Sequence, residues 1–185
     1  MSVEFGLLAP RLRHKLEAWC ANRKGAAAVE FAMIAIPFFF LIFGLLEICL
    51  LFIMSTVLEH SITEGSRKIR TGQAQESGFT KTEFRDQICA EFFGLLDCSS
   101  SLHIDVQSLS GFGSADTSSP LDEDGEFDET SFKYNPGGPN DIVAVRVFYE
   151  WDLVTPIISA PLKNMAGNKH LIQANAVFRN EPYGD

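Results

Sequence analysis

Two carboxylates stand in the most apolar part of this sequence, and each needs a chemical reason to be there. In RKGAAAVEFAMIAIPFFFLIFGLLEICLLF, Arg23 to Phe52, Glu30 follows two basic residues and a short run of small ones, and Glu47 comes 17 residues later. An ionised acid at the centre of a lipid-facing helix costs roughly 2.5–3.5 kcal/mol on insertion scales. It persists by pairing with a cation, which lowers the penalty of holding charge at low dielectric, or by reaching water at an interface. On a straight helix the two acids are separated by about 25 Å. Glu30 then falls near the inner interface, and Glu47 near the outer one, where it either snorkels or serves assembly with other helices.

The remaining reactive side chains are fewer than the composition suggests. Of the four cysteines, Cys20 precedes the apolar run, Cys49 lies in it, and Cys89 and Cys98 follow it. In an oxidising space Cys89 and Cys98 are the natural disulfide pair, closing a short loop that on the loop-entropy account contributes roughly 2–3 kcal/mol. Metal binding is the weaker rival, because no second Cys or His pair sits at ligand spacing. His14, His60, His103 and His170 are scattered. The acidic stretch LDEDGEFDE resembles a calcium loop only in Asp122, Asp124 and Gly125: the first ligand position would be Pro120 and the closing acid would be Ser131, so a solvated acidic loop is the better reading. There is no G-x-S-x-G, no H-E-x-x-H, no phosphate loop and no cysteine with an identifiable base. No enzyme, no metal site and no cofactor is therefore expected, and the exterior part is read as an interaction or assembly module.

The element that must position the two acids is a membrane helix. From Phe31 to Met54 the only charge is Glu47. At ~1.5 Å per residue such a segment exceeds the ~30 Å hydrocarbon layer. It is longer than the apolar core of a secretory signal, and STVLEHSITEGSRK after it holds no small-x-small cleavage site. A buried core helix of this length would leave too polar a remainder to cover it. Residues 1–24 carry five basic and two acidic side chains, net +3, whereas Arg67, Lys68 and Arg70 come only after Glu59 and Glu64. The positive-inside bias then puts the N-terminus in the cytoplasm and exports the bulk of the chain. Residues 71–185 hold seven Lys or Arg against eighteen Asp or Glu, net −11, which argues against nucleic acid as a partner.

Downstream, the pattern predicts one small α+β domain. The anchor helix continues to about Arg70, with Pro37 and Gly44 as bending points. TGQAQESG breaks it. Thr80 and Glu83 form a capping box for a second helix with Phe84, Ile88, Phe92 and Leu96 at helical spacing, ending near Gly94 to Asp97. LHIDVQSL and DIVAVRVFYEW alternate as strands, the second with Val143, Val145, Val147, Tyr149 and Trp151 on one face. HLIQANAVFRN is a third strand, and the Pro-bounded LVTPIISAPLKNMAGN before it is a candidate short helix. The expectation is a roughly three-stranded antiparallel sheet with a polar loop insertion over 110–140. The chain thus divides into a basic leader 1–25, a membrane helix with its extension 26–70, and an exported acidic domain 71–185.

Against this background a family resemblance stands out. Arg23-Lys24-Gly25-Ala26-Ala27-Ala28-Val29-Glu30-Phe31 resembles the processing site of type IV pilin-like precursors, a basic leader and glycine followed by a glutamate at the fifth residue of an apolar helix. More narrowly, GAAAVEFAMIAIPFFFLIFGLLEI is similar to the TadE-like family of tight-adherence pilus assembly proteins, with their V-E-F triplet, proline and second glutamate. The E-G-A-R-like element that follows in that family stands here as Glu64-Gly65-Ser66-Arg67, with Ser66 in place of alanine, and the C-terminal RNEPY also fits. The resemblance is dense from Gly25 to about Gly72 and loose afterward.

The resemblance implies that a prepilin peptidase cuts between Gly25 and Ala26 on the cytoplasmic face of the bacterial inner membrane. Lys24, Glu30 and Phe31 would serve recognition, and Glu30 would also pair with the new ammonium of Ala26 or that of a neighbouring helix. The processed chain would be a minor pilin or pseudopilin, with other pilins, the inner-membrane assembly platform and membrane lipid as partners. The alternative from a different class is an uncleaved, single-pass periplasmic binding or sensory module.

Overall fold

In a computed structural model of the chain, residues 25–92, 97–98, 100–155 and 158–184 are described. Lys24 and Cys20 lie outside them. The second helix, expected to end near Gly94 to Asp97, ends earlier, at Ala90 with Glu91 as its C-cap. The elements run α1 (Ala26–Arg70), α2 (Gln73–Glu76), α3 (Lys81–Ala90), β1 (Leu102–Leu109), β2 (Ile142–Asp152) and β3 (Lys169–Arg179). The three strands form one antiparallel sheet in the order β1-β2-β3, with Val106 opposite Val145 and Val145 opposite Ala176. This is the expected α+β class.

Two compact units divide the chain, Met1–Ile42 and Phe43–Asp185, so the boundary falls inside α1. The sequence explains why the helix joins the second unit from about there. Beyond Gly44, Glu47, Leu51, Met54, Leu58, Ile62, Gly65 and Ile69 recur every three or four residues and are buried, which is one continuous stripe on a 3.6-residue helix. That stripe shares a hydrophobic core with Phe84 and Ile88 of α3, Leu102, Ile104 and Val106 of β1, Val143, Val145 and Val147 of β2, and Ile172 of β3. Gly65 permits the close approach of α3: a Cβ there would meet Phe84 Cζ at 3.2 Å and Ile88 Cγ1 at 3.3 Å. The capping box of α3 forms as expected, with the Glu83 amide donating to Thr80 Oγ1 and the Thr80 amide donating to the Glu83 carboxylate. The Thr80 amide and the Thr80 hydroxyl, both donating to the Glu83 carboxylate, hold it below its ordinary range.

The C-terminal RNEPY closes the end of α1. The Glu181 amide donates to the Arg70 carbonyl at 2.8 Å, one of the carbonyls that a helix end leaves without a partner. Arg70 and Glu181 also pair at 3.3 Å. Gly72 turns the chain at φ 81°, in the left-handed region, and the Tyr183 ring packs directly on it. Asn180, buried, donates to the carbonyls of Pro136 and Gly138.

The insertion over 110–140 departs from the expected solvated loop. Its acids are exposed, but it returns along the free edge of β1, where the Val106 amide donates to Lys133 O at 2.9 Å and the Asn135 amide to Val106 O at 2.8 Å. Phe127 and Phe132 then pack on Phe148 of β2 with ring centroids 5.9 and 5.4 Å apart. As a result Ile142–Tyr149 is buried on both faces of the sheet. Inside this second layer Arg146 donates to Asp105 at 2.8 and 3.0 Å, and Asp105 also accepts from the Lys133 amide. The alternation in β1 and β2 read only the helix-facing side. The described residues of the expected short helix after β2 form turns instead, since Pro161 cannot donate a helical hydrogen bond.

Candidate functional site

The residues singled out by chemistry lie along α1 and do not converge on one pocket. Gly25 is exposed, with nothing among the described residues within 4 Å of where its Cβ would be, and Ala26 opens the helix. Glu30 and Phe31 are also exposed. Ala26 and Glu30 are four residues apart and so share a helix face. This end of the chain is an open segment with an acid one turn from the helix start, where backbone N–H groups lack intrahelical partners.

Glu47 has the opposite environment. It is 2% exposed and begins the buried stripe of α1. One carboxylate oxygen accepts from the Val154 amide at 3.0 Å, and the other from the Thr155 amide at 3.1 Å and Thr155 Oγ1 at 2.9 Å. The expected snorkelling to an outer interface is therefore replaced by a clamp: the acid satisfies backbone donors of the segment that follows β2. Gly44, one turn earlier, lets that segment come close, because a Cβ there would lie 2.8 Å from Ile158 Cγ2. The segment is tied down at its other side by Asn168, which donates to Leu153 O at 2.7 Å.

Sequence reasoning missed this partner, although a signal existed. Residues 153–162, LVTPIISAPL, carry no charge in a domain otherwise rich in acids. Such a stretch outside a strand needs something apolar to lie against.

Cys89 and Cys98 are joined in a disulfide. Cys49 is a free, exposed thiol. Asp122 accepts from the amides of Asp124 and Glu126, the geometry of a turn that stabilises itself. Among the described residues no group of three or more His, Cys, Asp or Glu side chains could hold a metal ion. A shallow cavity of about 360 Å³ is lined by Lys81, Arg85, His103 and Glu129. His103 bridges Glu129 and Glu150 there, and Lys169 donates to Glu150 at 2.7 Å. Burial raises the Glu150 carboxyl, and the Lys169 and His103 contacts outweigh it, so the group sits below its usual range. The arrangement is an ion-pair network.

Comparison with known proteins agrees with the anchor geometry. The family model described as TadE-like protein matches residues 25–67, so over its anchor segment the chain is similar to that family. No curated protein and no solved structure matches it. Helix α1 is long and apolar enough to cross a membrane, which is compatible with a membrane anchor.

Proposed function

We propose that the chain is a minor pilin or pseudopilin of the tight-adherence pilus and acts in assembly rather than catalysis. It is anchored by α1 in the bacterial inner membrane, its N-terminus cytoplasmic and its sheet domain periplasmic. A prepilin peptidase removes the leader between Gly25 and Ala26. The observation that carries this reading is where the family match begins: at Gly25, the residue before the proposed cut, and on through Glu30 and Glu47 to Arg67. The exposure of Gly25, Ala26 and Glu30 among the described residues supports it, since a membrane protease needs an accessible backbone.

After the cut, the ammonium of Ala26 lies one helical turn from Glu30, on the same face. Glu30 pairs with that ammonium or with the one on an adjacent pilin helix, which offsets the cost of two charges at the membrane surface. The partners are then the peptidase, other pilins or pseudopilins, and the inner-membrane assembly platform. Intact-mass spectrometry of the purified chain tests the reading. A mature N-terminus at Ala26, lost in Gly25→Ala, is expected. A leader that persists in cells with an active prepilin peptidase would overturn it in favour of an uncleaved binding or sensory module.

A further inference from the structure

The register of the sheet fixes which backbone groups of β3 face away from it. Just beyond the ends of the β2–β3 ladder, Asn180 N donates to Asp141 O and Leu153 N to Asn168 O, each across directly opposed residues. Even-numbered residues of β3 therefore bond to β2, and odd-numbered ones turn their N–H and C=O to the free edge. Both ends of that edge are occupied. The Asn164 side chain exchanges two hydrogen bonds with Leu171, donating to its carbonyl at 3.2 Å and accepting from its amide at 2.6 Å. At the other end the Glu181 amide donates to Arg70 O. Between them the edge groups of Gln173, Asn175, Val177 and Arg179 have no partner among the described residues, and all four side chains are exposed. This leaves about 20 Å of open edge, a template on which another strand can pair.

What could pair there follows from the walls and the charge. A groove of about 320 Å³ is lined by Thr63, Ser66, Arg67 and Arg70 of α1 and by Ala176 and Phe178 of β3. Ala176 and Phe178 lie on the helix side of the sheet, so a strand added beside β3 would direct alternate side chains into this groove. Arg67 and Arg70 pair with Glu64 and Glu181, while the Arg179 guanidinium has no partner among the described residues. Three arginines against two glutamates thus border the edge, although residues 71–185 carry net −11. A second copy pairing symmetrically through the same edge does not fit. β3 starts beside Leu153, near the Glu47 end of the buried stripe, and finishes beside Arg70, so it runs the same way as that part of α1. Antiparallel pairing of two β3 edges would point two anchors in opposite directions across one membrane. Parallel pairing about a twofold axis would set amide against amide.

We infer that the edge of β3 from Gln173 to Arg179 receives an extended segment of another protein as a fourth strand. Alternate residues of that segment are apolar, of about valine size, and enter the groove. The others are polar and lie on the outer face, one of them an acid paired with Arg179. Main-chain hydrogen bonds supply the affinity of such strand addition, and the alternate side chains its specificity. The inference rests on the register of the sheet and not on the pilus role, so its failure would leave the leader-cleavage test untouched.

The test titrates the full chain, in detergent micelles, into a fluorescent heptapeptide that alternates valine with threonine and aspartate, and reads anisotropy. Saturable binding is expected, weakened about tenfold or more by Val177→Pro. Proline at 177 removes an N–H that faces away from β2 and so spares the sheet's own ladder. Arg179→Glu, an exposed change, should weaken the aspartate peptide and favour one with lysine in its place. N-methylating one alternate set of peptide amides should abolish binding and the other should not: the threonine and aspartate set if the added strand is antiparallel, the valine set if it is parallel. No saturable binding to the unaltered chain overturns the inference, as does binding that ignores Val177→Pro and both methylated peptides. If sedimentation shows a dimer that Val177→Pro dissolves and that excludes the peptide, a second copy holds the edge and the inference is also overturned.

Discussion

Glu30 and Glu47 are the same side chain on the same apolar helix, yet their surroundings give them different work. Glu30 is exposed, and Glu47 is buried with three donors on its oxygens. Replacing Glu30 by alanine should therefore leave membrane insertion unchanged and reduce pilus assembly. Membrane fractionation and counts of surface pili check both halves, and normal piliation would remove the pairing role. Ser66 makes a second residue-scale point. It stands where the resembling family has alanine, it is 6% exposed, and its Oγ has no partner among the described residues. A buried hydroxyl without a hydrogen bond costs stability. Ser66→Ala should raise the unfolding free energy by about 1 kcal/mol, seen as a higher denaturant midpoint in detergent micelles.

At the scale of elements, the end of α1 and the C-terminal segment form one device. Gly72 sits at φ 81°, and a Cβ there would come within 2.4 Å of the Tyr183 ring. Gly72→Ala therefore carries two penalties, backbone strain of about 1–2 kcal/mol and a collision with the ring. In a double-mutant cycle Tyr183→Ala should relieve the collision and leave the strain, so the two changes will be less than additive. Strict additivity in thermal or chemical unfolding would show that the ring does not press on this turn. The same logic connects the insertion to the sheet. Arg146 and Asp105 are an ion pair beneath Phe132 and Phe148, with side chains 8% and 2% exposed. Arg146→Met strands a buried carboxylate and should cost about 3–5 kcal/mol, much of it recovered when Asp105→Asn is added.

For the whole molecule, the pH dependence of stability carries the signature of the network on β2 and β3. The Glu150 carboxyl is held below its ordinary value, 4.5, so its contribution is complete above that pH and is lost as pH falls through the folded value. The Lys169 hydrogen bond to Glu150 raises the Lys169 ammonium above its ordinary value, 10.5, so that contribution is complete below 10.5 and is lost as pH rises through the folded value. Glu150→Gln should flatten the acid limb of a stability profile measured by chemical unfolding, and an unchanged limb would rule the pair out as its source. Burial, with Glu83 as a second cause, pushes the phenol of half-buried Tyr134 up to about 12, so that ring stays neutral across this range.

Much of this protein was legible in local pattern. A charge-poor run long enough to cross a bilayer, a capping box at Thr80, alternation in β1 and β2 and turn residues between them depend on neighbours within a few positions, and the helix to Arg70, α3 and the three strands follow from them. The anchor motif from Gly25 to Arg67 is equally local, which is why the resemblance and the family match agree over it. Tertiary structure alone decided what depends on distant residues meeting. The acid at Glu47 finds its donors 107 and 108 residues away, the insertion's phenylalanines cover a sheet face that alternation had left to water, and RNEPY closes a helix that ends at Arg70. Periodicity states which side of an element is apolar, but the partner of a buried polar group is chosen by packing, because only there does leaving it unpaired carry its full cost.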